Sequence, residues 1–266
     1  MAGRGLNWKN IRQGIDPCPP DIAFDDGWKR AVARGDFEDV EHIHVFGHND
    51  AVGAANEMIW HQGGVYTYTD VATVLDLASS SVNDTAAGSG AQALRIWGLD
   101  GNHNPIWEDK ELNGQTSVPT TQKFLRVHRK RVIRAGATGW NEGAIRTGTG
   151  GVAAGVPQTL ILSNIGINFN ETLLAMRTIP KGYRGYLDRW SATSSVSKQV
   201  QVQLRVRDFG QVFTVREFIS MTAGQVSAEQ SIGEFIPELA DIEIQANAVG
   251  GGGDIGAGIH ITLERL

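Results

Sequence analysis

From about residue 64 onward, apolar and polar side chains alternate with a period of two. The clearest run is 198–207: Val200, Val202, Leu204 and Val206 fall on one face, and Gln199, Gln201, Gln203, Arg205 and Arg207 on the other. Successive side chains of a strand point to opposite faces, so this run predicts a half-buried strand. In 91–99, Leu94, Ile96 and Gly98 oppose Arg95, Trp97 and Leu99. In 123–133, Arg126, His128, Lys130 and Val132 oppose Leu125, Val127, Arg129, Arg131 and Ile133. Further strand-like runs are 65–69, 71–77, 159–167, 173–179, 183–190 and 212–219, and Ile242, Ile244, Ile255, Ile259, Ile261 and Leu263 close the series. Turn chemistry separates them at Asn83-Asp84, Gly88-Ser89-Gly90, Asp100-Gly101-Asn102, Asn113-Gly114, Pro180-Lys181-Gly182 and Asp208-Phe209-Gly210. Asp-Gly and Asn-Gly between alternating runs are strong hairpin signals.

Residues 1–60 lack this rhythm. Asp16-Pro17-Cys18-Pro19-Pro20 cannot lie inside a helix. Segment 24–37 predicts a short helix with Asp25 or Asp26 as N-cap and Trp28, Val32 and Phe37 on one face, against which Gly27 and Gly35 count. The region is too polar to own a core and reads as an arm lying on a neighbouring surface. The Gly-rich stretch 148–155 reads as a linker. The expected architecture is therefore all-β, with an N-terminal arm (1–60) and two jelly-roll-like β-sandwich domains (61–152 and 153–266). The two halves share a rhythm of short strands and turns but no exact repeat.

Composition narrows the function classes. The 266 residues are 41% apolar, enough for a sizeable core, and the net charge of −5 gives no global attraction to nucleic acid. A lone cysteine, Cys18, excludes an intrachain disulfide. The start, MAGRGLNWKN, carries no apolar signal region, and no window approaches the roughly 18 apolar residues of a membrane helix. Folding in a reducing cytoplasm is the expectation.

Several segments, in order, resemble virion structural proteins of tailed bacteriophages of the marine type. They are Phe46-Gly47-His48-Asn49, Ile59-Trp60, Gly63-Gly64-Val65-Tyr66, the run from Ser80 to Ala91, Gly98-Leu99-Asp100 before Asn104, Leu112-Asn113-Gly114-Gln115-Thr116, Phe124-Leu125-Arg126-Val127 and Ile179-Pro180-Lys181-Gly182-Tyr183. The resemblance spans roughly 45–265. It implies jelly-roll-like sandwiches on the outside of a head or at a tail, and it brings no catalytic residues.

Candidate chemistry is sparse. His42, His44, His48 and His61 form the best metal candidate, since His42 and His44 share one face of a strand, but no Cys or acidic ligand stands at a diagnostic spacing. The basic run Arg126, His128, Arg129, Lys130, Arg131 and Arg134 would divide between two faces of a strand, which argues against one phosphate-binding patch. Asn83-Asp84-Thr85 and Asp100-Gly101-Asn102 offer oxygen ligands without the full calcium-loop pattern. Asn83-Asp84-Thr85 and Asn170-Glu171-Thr172 match the glycosylation sequon, which needs a secretory route. Trp60, Trp97, Trp107, Trp140 and Trp190 suit either core anchoring or stacking on sugar. No phosphate-binding loop, His-Glu-x-x-His or Gly-x-Ser-x-Gly occurs, and Glu108 and Asp109 face opposite ways on a strand.

The sequence therefore points to a non-enzymatic bacteriophage virion structural protein: a head-decorating, minor capsid or tail-associated subunit, assembled in the host cytoplasm. No catalytic, cofactor or metal site is assigned. The expected partners are copies of itself, with a trimer among the candidate states, and other virion proteins such as major capsid or tail proteins; membrane and nucleic acid are not expected. The alternatives are a receptor- or glycan-binding module of a phage appendage and a polysaccharide depolymerase on a β scaffold.

Overall fold

The alternation of 198–207 becomes a strand, Val200–Arg207, in which the four apolar residues are buried and the intervening polar ones face outward. The computed structural model describes residues 26–266, and the side chains of 30–228 and 233–266. Cys18, its neighbouring prolines and the first part of the expected arm lie outside the described residues.

A helix α1 (Asp26–Arg34) precedes the strands and lays Ala31 and Val32 against the protein. In chain order the strands are β1 (Val40–Val52), β2 (Glu57–Met58), β3 (Asp76–Ser79), β4 (Ala91–Leu99), β5 (Pro105–Glu111), β6 (Val118–Pro119), β7 (Arg126–Ala135), β8 (Ile145–Thr149), β9 (Val152–Ala153), β10 (Val156–Pro157), β11 (Leu160–Ile165), β12 (Met176–Thr178), β13 (Tyr183–Ser194), β14 (Val200–Arg207), β15 (Thr214–Met221), β16 (Gly224–Ile236), β17 (Asp241–Ala248) and β18 (Gly253–Arg265).

Two of the sheets make one sandwich. Their orders are β1-β18-β13-β16 and β12-β17-β14-β15, with β2 added beside β17. The eight long-range strands pair as nested antiparallel couples: β1 with β18, β12 with β17, β13 with β16, and β14 with β15. One long hairpin rolled into two facing sheets has this connectivity, which is the jelly roll. Its core holds Trp190, Leu187, Val202, Leu204, Ile242, Ile244, Ile259 and Ile261, all fully buried. Residues 53–175 are inserted between the first and second strands of the roll.

The insertion builds a smaller sandwich from the sheets β11-β8-β3-β6 and β5-β4-β7. Its core gathers Leu75, Leu77, Leu94, Ile96, Phe124, Ile145, Leu162 and Ile165. Strand β4 matches the predicted alternation, with Leu94 and Ile96 inside and Arg95 and Trp97 facing outward.

The pairing corrects the expected domain boundaries. Residues 40–52 are not arm: β1 pairs along its length with β18, and Ile43 and Val52 enter the jelly-roll core. Its inner positions Gly47 and Asn49 disguised it, and Gly47 is required because a Cβ there would lie 2.2 Å from the Ile59 carbonyl oxygen. The stretch 148–155 is not a linker. Strand β8 pairs with β11 across it, and β9 and β10 form a hairpin whose corner residues Ala154 and Gly155 both have positive φ (47° and 76°), as the tight primed turn demands. The alternation at 65–69 is extended chain rather than strand, its Tyr66 and Tyr68 rings turned inward and packed edge to face.

The two sandwiches share a wall. Along 58–60, Met58 and Trp60 face the inserted core while Ile59 faces the jelly-roll core; along 174–176, Leu174 and Met176 face the first and Ala175 the second. Period-two alternation thus ties the two cores together without a free linker.

Candidate functional site

Where β1 of the roll passes β4 and β5 of the insertion, a cleft of about 590 Å³ opens, lined among others by Glu41, His44, Trp97, Trp107, Arg129 and Arg177. A position between two packed units and a volume within about 300–1,000 Å³ are usual for ligand sites. Antiparallel register sets Trp97 of β4 directly opposite Trp107 of β5 and opposite Arg129 of β7. Trp107 is 53% exposed. Arg129 Nε is 2.5 Å from Glu171 Oε1 and its guanidinium lies over Trp97 at 5.7 Å. Arg95, which does not line the cleft, stacks on Trp107 at 4.2 Å and is held bidentately by Asp109.

Arg177, on β12, differs from the other cleft cation. Its Nε is buried without a hydrogen-bond partner. Burial is the main influence on the group and lowers its pKa to about 10; the neighbouring Glu41 charge works against the shift and Arg129 adds to it. Unsatisfied buried donors are rare in native folds, and each calls for a physical account.

Beside the cleft a buried polar seam joins the sandwiches. Asp241 of β17 accepts from Arg126 of β7 at 3.4 Å, from the Thr178 hydroxyl at 2.5 Å and from Arg207. Arg126 also donates to the carbonyls of Thr69 and Leu125. Glu243 accepts from the Tyr68 hydroxyl at 2.7 Å and from Gln245 at 2.9 Å, with Arg205 3.4 Å away. The guanidiniums of Arg126 and Arg207 lie 5.0 and 4.5 Å from the Tyr68 ring.

The histidines sort into two groups. His42 and His44 of β1 stack with His260 of β18, with ring centroids 5.4 and 4.3 Å from it, and Arg189 contacts the far side of His260 at 2.8 Å. Burial lowers the pKa of all three, that of His260 to about 4. His48 contacts Asp254 at 2.8 Å and His61 at 3.4 Å, and burial lowers His61 to about 4. His42 Nε2 lies 3.2 Å from His260 Nδ1, so ring nitrogens of this group are spent on one another. Among the described residues, no group of three or more His, Cys, Asp or Glu is arranged to hold a metal ion.

The basic run divides between buried and exposed positions, but not by strict alternation: the β7 register shifts between Val127 and Arg129, Val127 enters the inserted core, and Arg134 lies outside. Arg126, His128 and Lys130 point inward and are buried, while Arg129, Arg131 and Arg134 stand outside. His128 accepts the Thr178 amide at 3.2 Å, and burial holds its pKa well below the ordinary value. Lys130 donates to Ile145 O, Thr147 Oγ1 and Ser163 O at 2.8, 2.9 and 3.3 Å.

The turn acids also work internally. Asp84 is fully buried and accepts the amides of Ala91, Glu142 and Gly143 together with the Ser79 hydroxyl. Asp84→Ala orphans three amides at once, so a loss of about 3–4 kcal/mol is expected; urea unfolding of the variant beside wild type measures it. Asp100 accepts the amides of Asn102 and Asn104 within its own turn. Glu108 points inward to cap the amides of Thr121 and Gln122, opposite in direction to Asp109. Trp60 and Trp190 are buried, whereas Trp140, like Trp107, stands about half exposed. Sequence reasoning missed Arg177: a lone cation between Met176 and Thr178 carries no signal until the fold places it in a cleft.

No helix among the described residues is long and apolar enough to cross a membrane. No family model matches the chain, and no curated protein matches it. Solved structures that align with it include one of the infectious bursal disease virus Gx strain, at 10% identity over 85% of this chain and 71% of that chain, with a TM-score of 0.21. Another is the VP2 subviral particle of infectious bursal disease virus, at 9% identity over 85% and 76%, with a TM-score of 0.17. At TM-scores this low the alignments do not establish a shared fold.

Proposed function

We propose that this protein is a non-enzymatic structural subunit of a virion, of the head-decorating, minor capsid or tail-associated kind suggested by its resemblance to tailed-phage proteins. The observation that carries the reading is the eight-strand jelly roll, whose two open sheets end on one side in β15 and β16. Jelly rolls serve in viral capsid and lectin domains, and edge strands invite pairing with another chain. Strands β15 and β16 end their respective sheets. Along and beside these edges Phe209, Val212, Val215, Phe218 and Phe235 are each at least half exposed. A run of exposed apolar side chains at a sheet edge marks an interaction surface. The partner is a second copy of the chain, with other virion proteins such as a major capsid or tail protein at further faces, and assembly takes place in the host cytoplasm. A specific interface of this kind buries about 1,600 Å² in total.

Light scattering on the full chain at micromolar concentration tests this reading. A discrete oligomer is expected, and Phe218→Lys, which places a charge on the exposed edge, is expected to give a folded monomer. A wild-type monomer that binds neither capsids nor tails overturns it. A receptor- or glycan-binding role is the second reading, favoured by the indole pair in the cleft.

A further inference from the structure

We infer that the cleft between the two sandwiches binds a carboxylate-bearing saccharide, with Arg177 taking the carboxylate and the paired indoles of Trp97 and Trp107 taking a sugar face. The cations around the cleft are otherwise committed. Arg129 is paired with Glu171, Arg95 with Asp109, and Arg126 and Arg207 with Asp241. Arg177 enters no ion pair among the described residues and holds a buried Nε without a partner. The Nε is enclosed, so a carboxylate in the cleft meets the terminal Nη groups, whose planar arrangement fits it through two parallel hydrogen bonds.

The remaining charges select the class of anion. Glu41 and Glu171 line the same cleft, so a doubly charged phosphate meets two carboxylates there, while a singly charged carboxylate meets less repulsion. His42, His44 and His128 also line it, and the depressed pKa of each leaves these rings neutral hydrogen-bonding groups at neutral pH.

The indoles select the saccharide. Trp97 and Trp107 are direct cross-strand neighbours and both line the cleft, whereas the Arg95 guanidinium that stacks on them does not. The apolar faces of pyranose rings stack on aromatic surfaces of this kind, and a ring with a polar rim and an apolar face suits a cleft that mixes Trp with His, Glu and Arg. The inference is independent of the assembly reading, since β15 and β16 do not line this cleft.

Isothermal titration calorimetry on the full chain, with trigalacturonic acid and the neutral galactotriose of the same linkage as probes, tests it. The acidic trisaccharide is expected to bind about tenfold or more tightly than the neutral one. Arg177→Met is expected to erase that preference and Trp107→Ala to weaken both probes. If Arg177→Met fails to fold by circular dichroism, Arg177→Lys serves instead: a preference reduced severalfold supports the assignment, and an unchanged one overturns it. Equal or undetectable binding of the two trisaccharides overturns the inference. A glutamate-rich hexapeptide binding as tightly as the acid sugar also overturns it, because the cleft would then be a protein dock.

Discussion

Asp241→Ala is expected to cost about 3–5 kcal/mol of stability, because it leaves buried guanidinium charge uncompensated between the two sandwiches. The side chains of Arg126 and Asp241 are both 5% exposed, so water does not replace the missing partner. Arg126 would keep the Thr69 and Leu125 carbonyls, but these are neutral acceptors. For a chain of this size the loss corresponds to a fall in Tm of about 10 °C. The double variant Arg126→Met/Asp241→Leu is expected to recover most of it, since apolar side chains of similar volume often replace a buried ion pair without loss. Calorimetry on the wild type, the single variant and the double variant measures all three. A loss below about 1 kcal/mol for Asp241→Ala would mean that Glu243 takes over both arginines.

The second large effect is one of pH. Lys130 is fully buried, and burial lowers its pKa well below the ordinary 10.5. In the unfolded chain the amine binds its proton up to that ordinary value, whereas in the folded chain it gives the proton up at lower pH. Between the two values the unfolded state holds more protons, so stability rises with pH. The stabilisation is complete above 10.5 and is lost as pH falls to the depressed folded value. Within this window the difference between wild type and Lys130→Met is expected to change by about 1.4 kcal/mol per pH unit, with wild type gaining as pH increases. Unfolding both proteins in urea at a series of pH values descending from 10.5 reads the slope and the point at which it ends. Parallel curves would mean that Ile145 O, Thr147 Oγ1 and Ser163 O suffice to keep the ammonium charged.

The same residues show which parts of the fold were legible. Strand β14 could be read directly, because a strand with one face in the apolar core and the other on polar groups writes its environment as strict alternation. Strand β1 could not. Its outward positions carry His42 and His44, its inward ones include Gly47 and Asn49, and the reason for Gly47 is a carbonyl that only the folded chain brings near. The 148–155 glycines were misread for a related cause, since a flexible linker and a tight primed hairpin both call for glycine and only partner strands distinguish them. In β7 strict alternation did not hold, because the register shifts between Val127 and Arg129 and brings Val127 into the inserted core; Arg126, His128 and Lys130 are buried because their hydrogen-bond partners come from β8, β11, β12, β17 and the loop at Thr69. Of the cleft, the two indoles were visible as candidates, while their pairing and the isolation of Arg177 depend on register.

The nesting of the jelly-roll strands has a consequence for synthesis on the ribosome. Strand β1 is among the first described segments to emerge, but its sheet neighbour β18 is separated from it by some two hundred residues. The inserted sandwich draws its two sheets from 76–165, so most of its pairings can form while the roll is still incomplete. Its early collapse shortens the effective tether between β1 and the later strands, which lowers the entropic cost of the final closure. Until that closure, residues 40–52 wait as an unpaired strand with a sticky edge, the nascent chain's most exposed moment for association with a neighbour on the same message.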